Sequence, residues 1–171
     1  MRAKIQKTHY LRLAVLTFSY LCSMKIGIIV AMDKEFIQLK SILEHTETEY
    51  RNHKEFVIGE VGNKDIVLQK CGIGKVNSAV GAVEMINNYK PDLIVSSGCA
   101  GGADTTLNVM DVVVATECVY HDASCGSEAA KGQIMGMPAR YTSPTELVEK
   151  ALSLNCVTGE NSFTVRAGLT V

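Results

Sequence analysis

Glu35 is the acid in this sequence best placed to do chemistry. It follows the apolar run Lys25–Val30 by five residues and falls in the first turn of a helix-like segment, where the helix dipole favours a carboxylate. Position alone favours the plainer role of a solvated partner to that dipole. A carboxylate that does chemistry needs a crevice beside it, and the spacing of small residues supplies one. Three strand-like runs end in small or glycine-rich loops: Ala31-Met32, Gly72-Ile73-Gly74 and Gly98–Gly102. Glycine lets a ligand approach main-chain N–H groups closely, and open α/β sheets bind ligands beyond the carboxyl ends of their strands. Each loop alone reads as an ordinary turn. The three together read as one small-molecule crevice.

The familiar nucleotide motifs fail here. Gly74-Lys75 lacks the preceding glycine and the Ser/Thr of a P-loop, and Asn77 stands where a dinucleotide fingerprint wants its third glycine. His121-Asp122 is an adjacent pair, whose side chains point to opposite faces of a strand, so His121 reads as structural. His45 and His53 lie in polar surroundings and take no role. The six cysteines (Cys22, Cys71, Cys99, Cys118, Cys125, Cys156) are scattered, without a CxxC pair. That spacing suits neither zinc nor a disulfide framework. It fits reduced cytoplasmic thiols acting as small hydrophobes. No metal or organic cofactor is implied.

The elements that must hold these residues alternate. Lys25–Val30 is a strand covered on both faces, and Lys34–Leu43 carries Phe36, Ile37, Leu39, Ile42 and Leu43 at helical spacing. Phe56–Val61 and Lys64–Cys71 form a hairpin about Gly62-Asn63. A helix follows Gly74, with Val76, Ala79, Val80, Val83 and Ile86 along one face, and stops at Lys90-Pro91. Leu93–Ser97 and Asp111–Glu117 are further strands, and Tyr120–Tyr141 is a long loop. Ser143 is placed as N-cap of a helix that has Pro144 at its first position and Glu146 closing a capping box. Phe163–Val171 is a strand that meets the chain end without a closing helix, which suggests a fold cut short. Strands alternating with helices give an α/β sandwich with a largely buried sheet.

The 171 residues amount to one domain. With 47% apolar and 20% charged residues the chain can bury a sizeable core. Seventeen basic against eighteen acidic residues leave a net charge of −1, so there is no basic excess to hold a nucleic-acid backbone. Aromatic residues make up 6%, without tryptophan, which supplies few stacking platforms for single strands. Residues 1–23 combine Arg2, Lys4, Lys7 and Arg12 with the apolar stretch Leu13–Leu21, in the manner of a signal peptide. That stretch is shorter than the roughly 20 apolar residues that a membrane span needs, and no small-x-small cleavage site follows it. We therefore read 1–23 as an upstream extension, Met24 as the natural start, 24–171 as the domain, and the location as cytoplasmic, without membrane or nucleic-acid partners.

The ordered segments Met24–Glu35 (MKIGIIVAMDKE), Cys71–Asn77 (CGIGKVN), Ser97–Gly102 (SGCAGG), Asp111–Val114 and Tyr120-His121-Asp122 resemble the bacterial 5'-methylthioadenosine/S-adenosylhomocysteine nucleosidases of the purine and uridine phosphorylase superfamily. The resemblance covers about Met24 to Val171. It implies a three-layer α/β/α sandwich of the phosphorylase/hydrolase kind, with a central, mostly buried mixed sheet that is incomplete at the C-terminus. It implies hydrolysis of the purine N-glycosidic bond of a nucleoside thioether, with adenine released and water as co-substrate. Glu35 matches the base that activates the water. Met32 and Ile73 match residues packing on the sugar and its alkylthio group, while Cys99, Ala100 and Gly101 match the loop lining the water and purine sites. A homodimer is implied as well.

The chain departs from that family's pattern in three ways. Cys99 stands where serine is common. The loop Ala123–Lys131 has no aromatic residue to reach across a dimer. The family's general-acid aspartate, its ribose-binding Met-Glu pair and its adenine-gripping loop fall beyond Val171, so the 171-residue chain is expected to turn over little or nothing. A purine nucleoside phosphorylase is the first alternative, opposed by the repulsion between Glu35 and a phosphate. A non-catalytic nucleoside-binding fragment is the second.

Overall fold

The computed structural model describes residues 24–109, 111–156 and 164–170. The expectations for residues 1–23, Cys22 among them, and for Phe163 and Val171 lie outside the described residues. Two compact units divide at Ala100 and Gly101.

The first unit is built on a five-stranded mixed sheet in the order β2-β3-β4-β1-β5. Its strands are β1 (Lys25–Val30), β2 (Glu44–Arg51), β3 (Lys54–Val61), β4 (Lys64–Lys70) and β5 (Leu93–Ser96). Strand β1 runs parallel to both β4 and β5, with Val30 opposite Lys70 and Ile29 opposite Ser96, so these three strands end together. The hairpins β2-β3 and β3-β4 are antiparallel. At the second hairpin Gly62 takes φ +60°, a conformation glycine admits without strain.

Alternation along the central strands divides the core in two. Ile29, Phe56 and Val67 face helix α2 (Lys75–Tyr89) and meet its Met85 and Tyr89, while Val30, Val57 and Leu68 face helix α1 (Asp33–Lys40) and meet Phe36. Each strand thus contributes successive residues to opposite faces. The result is the helix/sheet/helix layering expected from the sequence.

Three local expectations are corrected. The face of α2 marked by Val76, Ala79, Val80, Val83 and Ile86 is not the buried one: Val76 is 78% exposed and Ile86 50%. Gly81, Met85 and Tyr89 are buried instead. A β-carbon on Gly81 would lie 2.6 Å from Cys71 Cβ, so the helix seats on the sheet through its missing side chain. Strand β2 (EHTETEYR) is not foreseen by the sequence reading, because it is a solvated edge strand in which Glu49 alone is partly buried.

The second unit holds a three-stranded sheet, β7-β6-β8, comprising β6 (Val112–Cys118), β7 (Tyr141–Thr142) and β8 (Val165–Thr170), with helix α3 (Thr145–Leu152). Strands β6 and β8 are parallel. Arg166 Nε donates to Asp111 Oδ2 at 2.9 Å, tying β8 to the residue before β6. The third correction concerns α3. Pro144, not Ser143, occupies the N-cap position, with extended backbone (φ −59°, ψ 124°) and no side-chain cap, and its carbonyl accepts from Leu147 and Val148. Proline's fixed φ suits that junction as well as the first helical position. Among the described residues, no helix is long and apolar enough to cross a membrane.

Candidate active site

The shared ends of β1, β4 and β5 position the candidate residues of the first unit. Cys71 N–H donates to Val30 O at 2.9 Å and Ser97 N–H to Ile29 O at 3.0 Å, so the ladder runs on to the residue just before each glycine loop. Beyond β1 the chain turns at Ala31-Met32 directly into α1. Lys70, the last residue of β4, forms an ion pair with Asp33 in the first turn of that helix.

Glu35 sits at the centre of this arrangement and is buried, at 9% exposure. Its Oε2 accepts the main-chain N–H of Met32 at 3.0 Å and of Ala31 at 3.2 Å. Its Oε1 accepts the Cys99 N–H at 2.9 Å. The carboxylate therefore joins the end of β1 to the loop after β5. The Cys99 amide, followed by those of Met32 and Ala31, holds its pKa below the ordinary value, against the opposing effect of burial. A carboxylate offers about four lone-pair sites, so three amide donors leave it able to accept a proton donor such as water. The solvated helix-dipole role, favoured from position alone, does not describe a buried carboxylate gripped by three amides.

Met32 lies at the N-cap of α1 and is 37% exposed. Ile73 follows β4 in its loop and is 72% exposed, between Gly72 at φ +95° and Gly74 at φ +101°. Those two angles lie where glycine alone is comfortable. Asn77 Nδ2 donates to Ile73 O at 2.7 Å and so anchors the loop to the first turn of α2. Sequence reasoning gave Asn77 no such part. Its signal was an amide side chain one helical turn beyond Ile73. Cys99 and Ala100 close the first unit, both exposed, whereas Gly101 opens the second. Glu35, Met32 and Cys99 are thus joined by hydrogen bonds, and Ile73 stands at the neighbouring strand end.

Other candidates fall away. Cys71 is buried and its thiol donates to Val30 O and Gly72 O, and burial raises its pKa, as suits a small core residue and not a nucleophile. Cys99 and Cys118 are exposed, so the small-hydrophobe reading does not extend to them. His121 lies exposed in a bend of the second unit. A cavity of about 250 Å³ at the opposite end of the first sheet is rimmed by Lys25, His45, Glu60 and Asp65. It is lined by none of Glu35, Met32, Ile73 or Cys99.

This geometry has counterparts among known proteins. The 5'-methylthioadenosine/S-adenosylhomocysteine nucleosidase of Bacillus subtilis (strain 168) is 39% identical over 134 residues, which cover 76% of this chain and 58% of that protein. The chain therefore spans little more than half the length of such curated relatives. S-adenosylhomocysteine nucleosidase from Streptococcus pyogenes, solved with 5-methylthiotubericidin, matches with a TM-score of 0.77 at 30% identity, covering 88% of this chain and 64% of that one. The 5'-methylthioadenosine/S-adenosylhomocysteine nucleosidase from Neisseria meningitidis, solved with methylthio-immucillin-A, gives a TM-score of 0.76 at 32% identity, covering 85% and 62%. The family model of the phosphorylase superfamily matches residues 25–171, nearly the whole of the described chain, and to that superfamily the chain belongs.

Proposed function

We propose that the chain carries the water-activating part of a nucleosidase site that hydrolyses the purine N-glycosidic bond of 5'-methylthioadenosine and S-adenosylhomocysteine. One observation carries this reading: a buried carboxylate, Glu35, held ionised by the amides of Ala31, Met32 and Cys99 at the shared end of three parallel strands. The nucleosidase relatives support the choice of substrate. In the proposed mechanism Glu35 accepts a proton from a water molecule that adds to the sugar carbon as the purine leaves. The same amides that keep it ionised also lower its basicity. It therefore acts late, when attack on the cation-like carbon has made the water acidic. General-base assistance of this kind is worth about 10²–10⁴-fold. Met32 and Ile73 pack on the sugar and alkylthio group, while Cys99, Ala100 and Gly101 line the water and purine positions, with the Cys99 thiol a weaker hydrogen-bond donor than a serine hydroxyl.

Phosphorolysis, the other reaction of such a superfamily, meets a charge conflict, because a phosphate would have to sit beside the Glu35 carboxylate. Free thiols at Cys71, Cys99, Cys118 and Cys125 support the cytoplasm as the working compartment. The homodimer belongs to the same proposal. The test is adenine release from 5'-methylthioadenosine, with and without phosphate. It is run on residues 1–171 alone and on a chimera in which the Bacillus subtilis relative supplies the part of its length that this chain does not cover. We expect little release from the first, strong phosphate-independent release from the second, and a dimer in solution for the second. Robust release from residues 1–171 overturns the division of the site, and a rate that requires phosphate overturns hydrolysis.

A further inference from the structure

We propose that Gly98 is a positioning residue for Glu35: its missing side chain leaves the space in which the carboxylate reaches the Cys99 amide. The catalytic consequence rests on the function proposed above, whereas the positioning does not. A β-carbon on Gly98 would lie 3.0 Å from Glu35 Oε1, 3.3 Å from Cδ and 3.5 Å from Oε2, and no other atom comes closer. Gly98 is not among the glycines with positive φ, so its backbone accepts alanine without strain. Space is the reason for glycine here, in contrast to Gly72 and Gly74.

The carboxylate is the end of a flexible side chain, but it is not free to retreat. Oε2 is held by Ala31 and Met32, and Oε1 sits 2.9 Å from the nitrogen of Cys99, the residue joined to Gly98. A methyl group on Gly98 therefore pushes Oε1 off the very peptide that binds it. The bond to Cys99 lengthens while the bonds to Ala31 and Met32 persist. Loss of the Cys99 donor then raises the pH at which Glu35 titrates. A misplacement of 1 Å costs up to about 10²-fold in rate, so a displacement of a few tenths of an ångström predicts a loss of roughly ten-fold.

The experiment compares the 171-residue chain with Gly98→Ala, following the Glu35 carboxyl by NMR titration and the Cys99 amide by hydrogen exchange. Neither readout needs substrate. A higher titration midpoint with lost protection at Cys99 is the expected result, and an unchanged midpoint overturns the proposal. Should Gly98→Ala not fold, Gly98→Ala combined with Glu35→Asp decides. The shorter acid withdraws from the new methyl group and restores folding if the clash is with the carboxylate. A double variant that also fails to fold places the clash elsewhere and overturns the proposal. Absence of turnover with any nucleoside thioether, by contrast, sinks the functional reading and leaves these results standing.

Discussion

Among the described residues, the donors that hold the Glu35 carboxylate are main-chain N–H groups, and this ties its chemistry to the fold. Its folded pKa lies below the ordinary 4.5. A carboxyl lowered by folding contributes stability above its unfolded value, and loses that contribution as the pH falls through the lowered one. Glu35→Gln removes this charge-dependent part and sets an amide NH₂ or a weaker acceptor against the three N–H donors. The gap in urea midpoint between parent and Glu35→Gln is therefore expected to be widest near neutrality and to narrow below the ordinary carboxylate range. A gap that stays constant with pH contradicts the amide cradle. That cradle was only partly legible in the sequence. Glu35 and the loop at Cys99 were both singled out, but the bond between them spans 64 residues and forms only when β1 and β5 pair.

Among the elements, α2 shows where hydrophobic pattern and packing part company. Its valines and isoleucine make the more obvious stripe, yet the helix rests on the sheet through Gly81, with Met85 wedged over Gly27. Gly81→Ala brings a methyl group against Cys71 and is expected to cost about 1–3 kcal/mol, the usual penalty of overpacking. Val83→Lys, on the exposed face, is expected to change stability by less than about 0.5 kcal/mol. Thermal or urea unfolding of the two variants decides, and the reverse order would show that the buried face has been misassigned. At the head of the same helix, Asn77→Ala removes the tether on Ile73 O. The expected cost is about 1 kcal/mol, as for a typical hydrogen bond, with faster amide exchange at Gly74–Asn77. Unchanged exchange there would mean that the loop holds its shape without Asn77. Strands β1, β3 and β4 were legible because they are buried on both faces and read as apolar runs. Strand β2 was not, since burial leaves no mark on a solvated edge, and only the alternation of Thr46, Thr48 and Tyr50 with charged residues hinted at it.

For the molecule as a whole, near-neutral charge, alternating strands and helices, and glycine loops at strand ends pointed to a small-molecule α/β protein, and its place in the phosphorylase superfamily agrees. What composition and periodicity left open was which strand ends meet, since register is set by pairing across the sheet and not by neighbours in the chain. Pairing brings the ends of β1 and β5 to the two sides of one carboxylate, and the proposed hydrolysis depends on that convergence. The most direct measurement is the turnover of 5'-methylthioadenosine by the chimera completed from the Bacillus subtilis relative, compared with its Glu35→Gln variant, alongside the affinity of each for the same nucleoside. A fall in kcat of about 10²–10⁴-fold with affinity retained is the result predicted for a general base. An unchanged kcat would reduce Glu35 to a structural staple between two loops and contradict the mechanism.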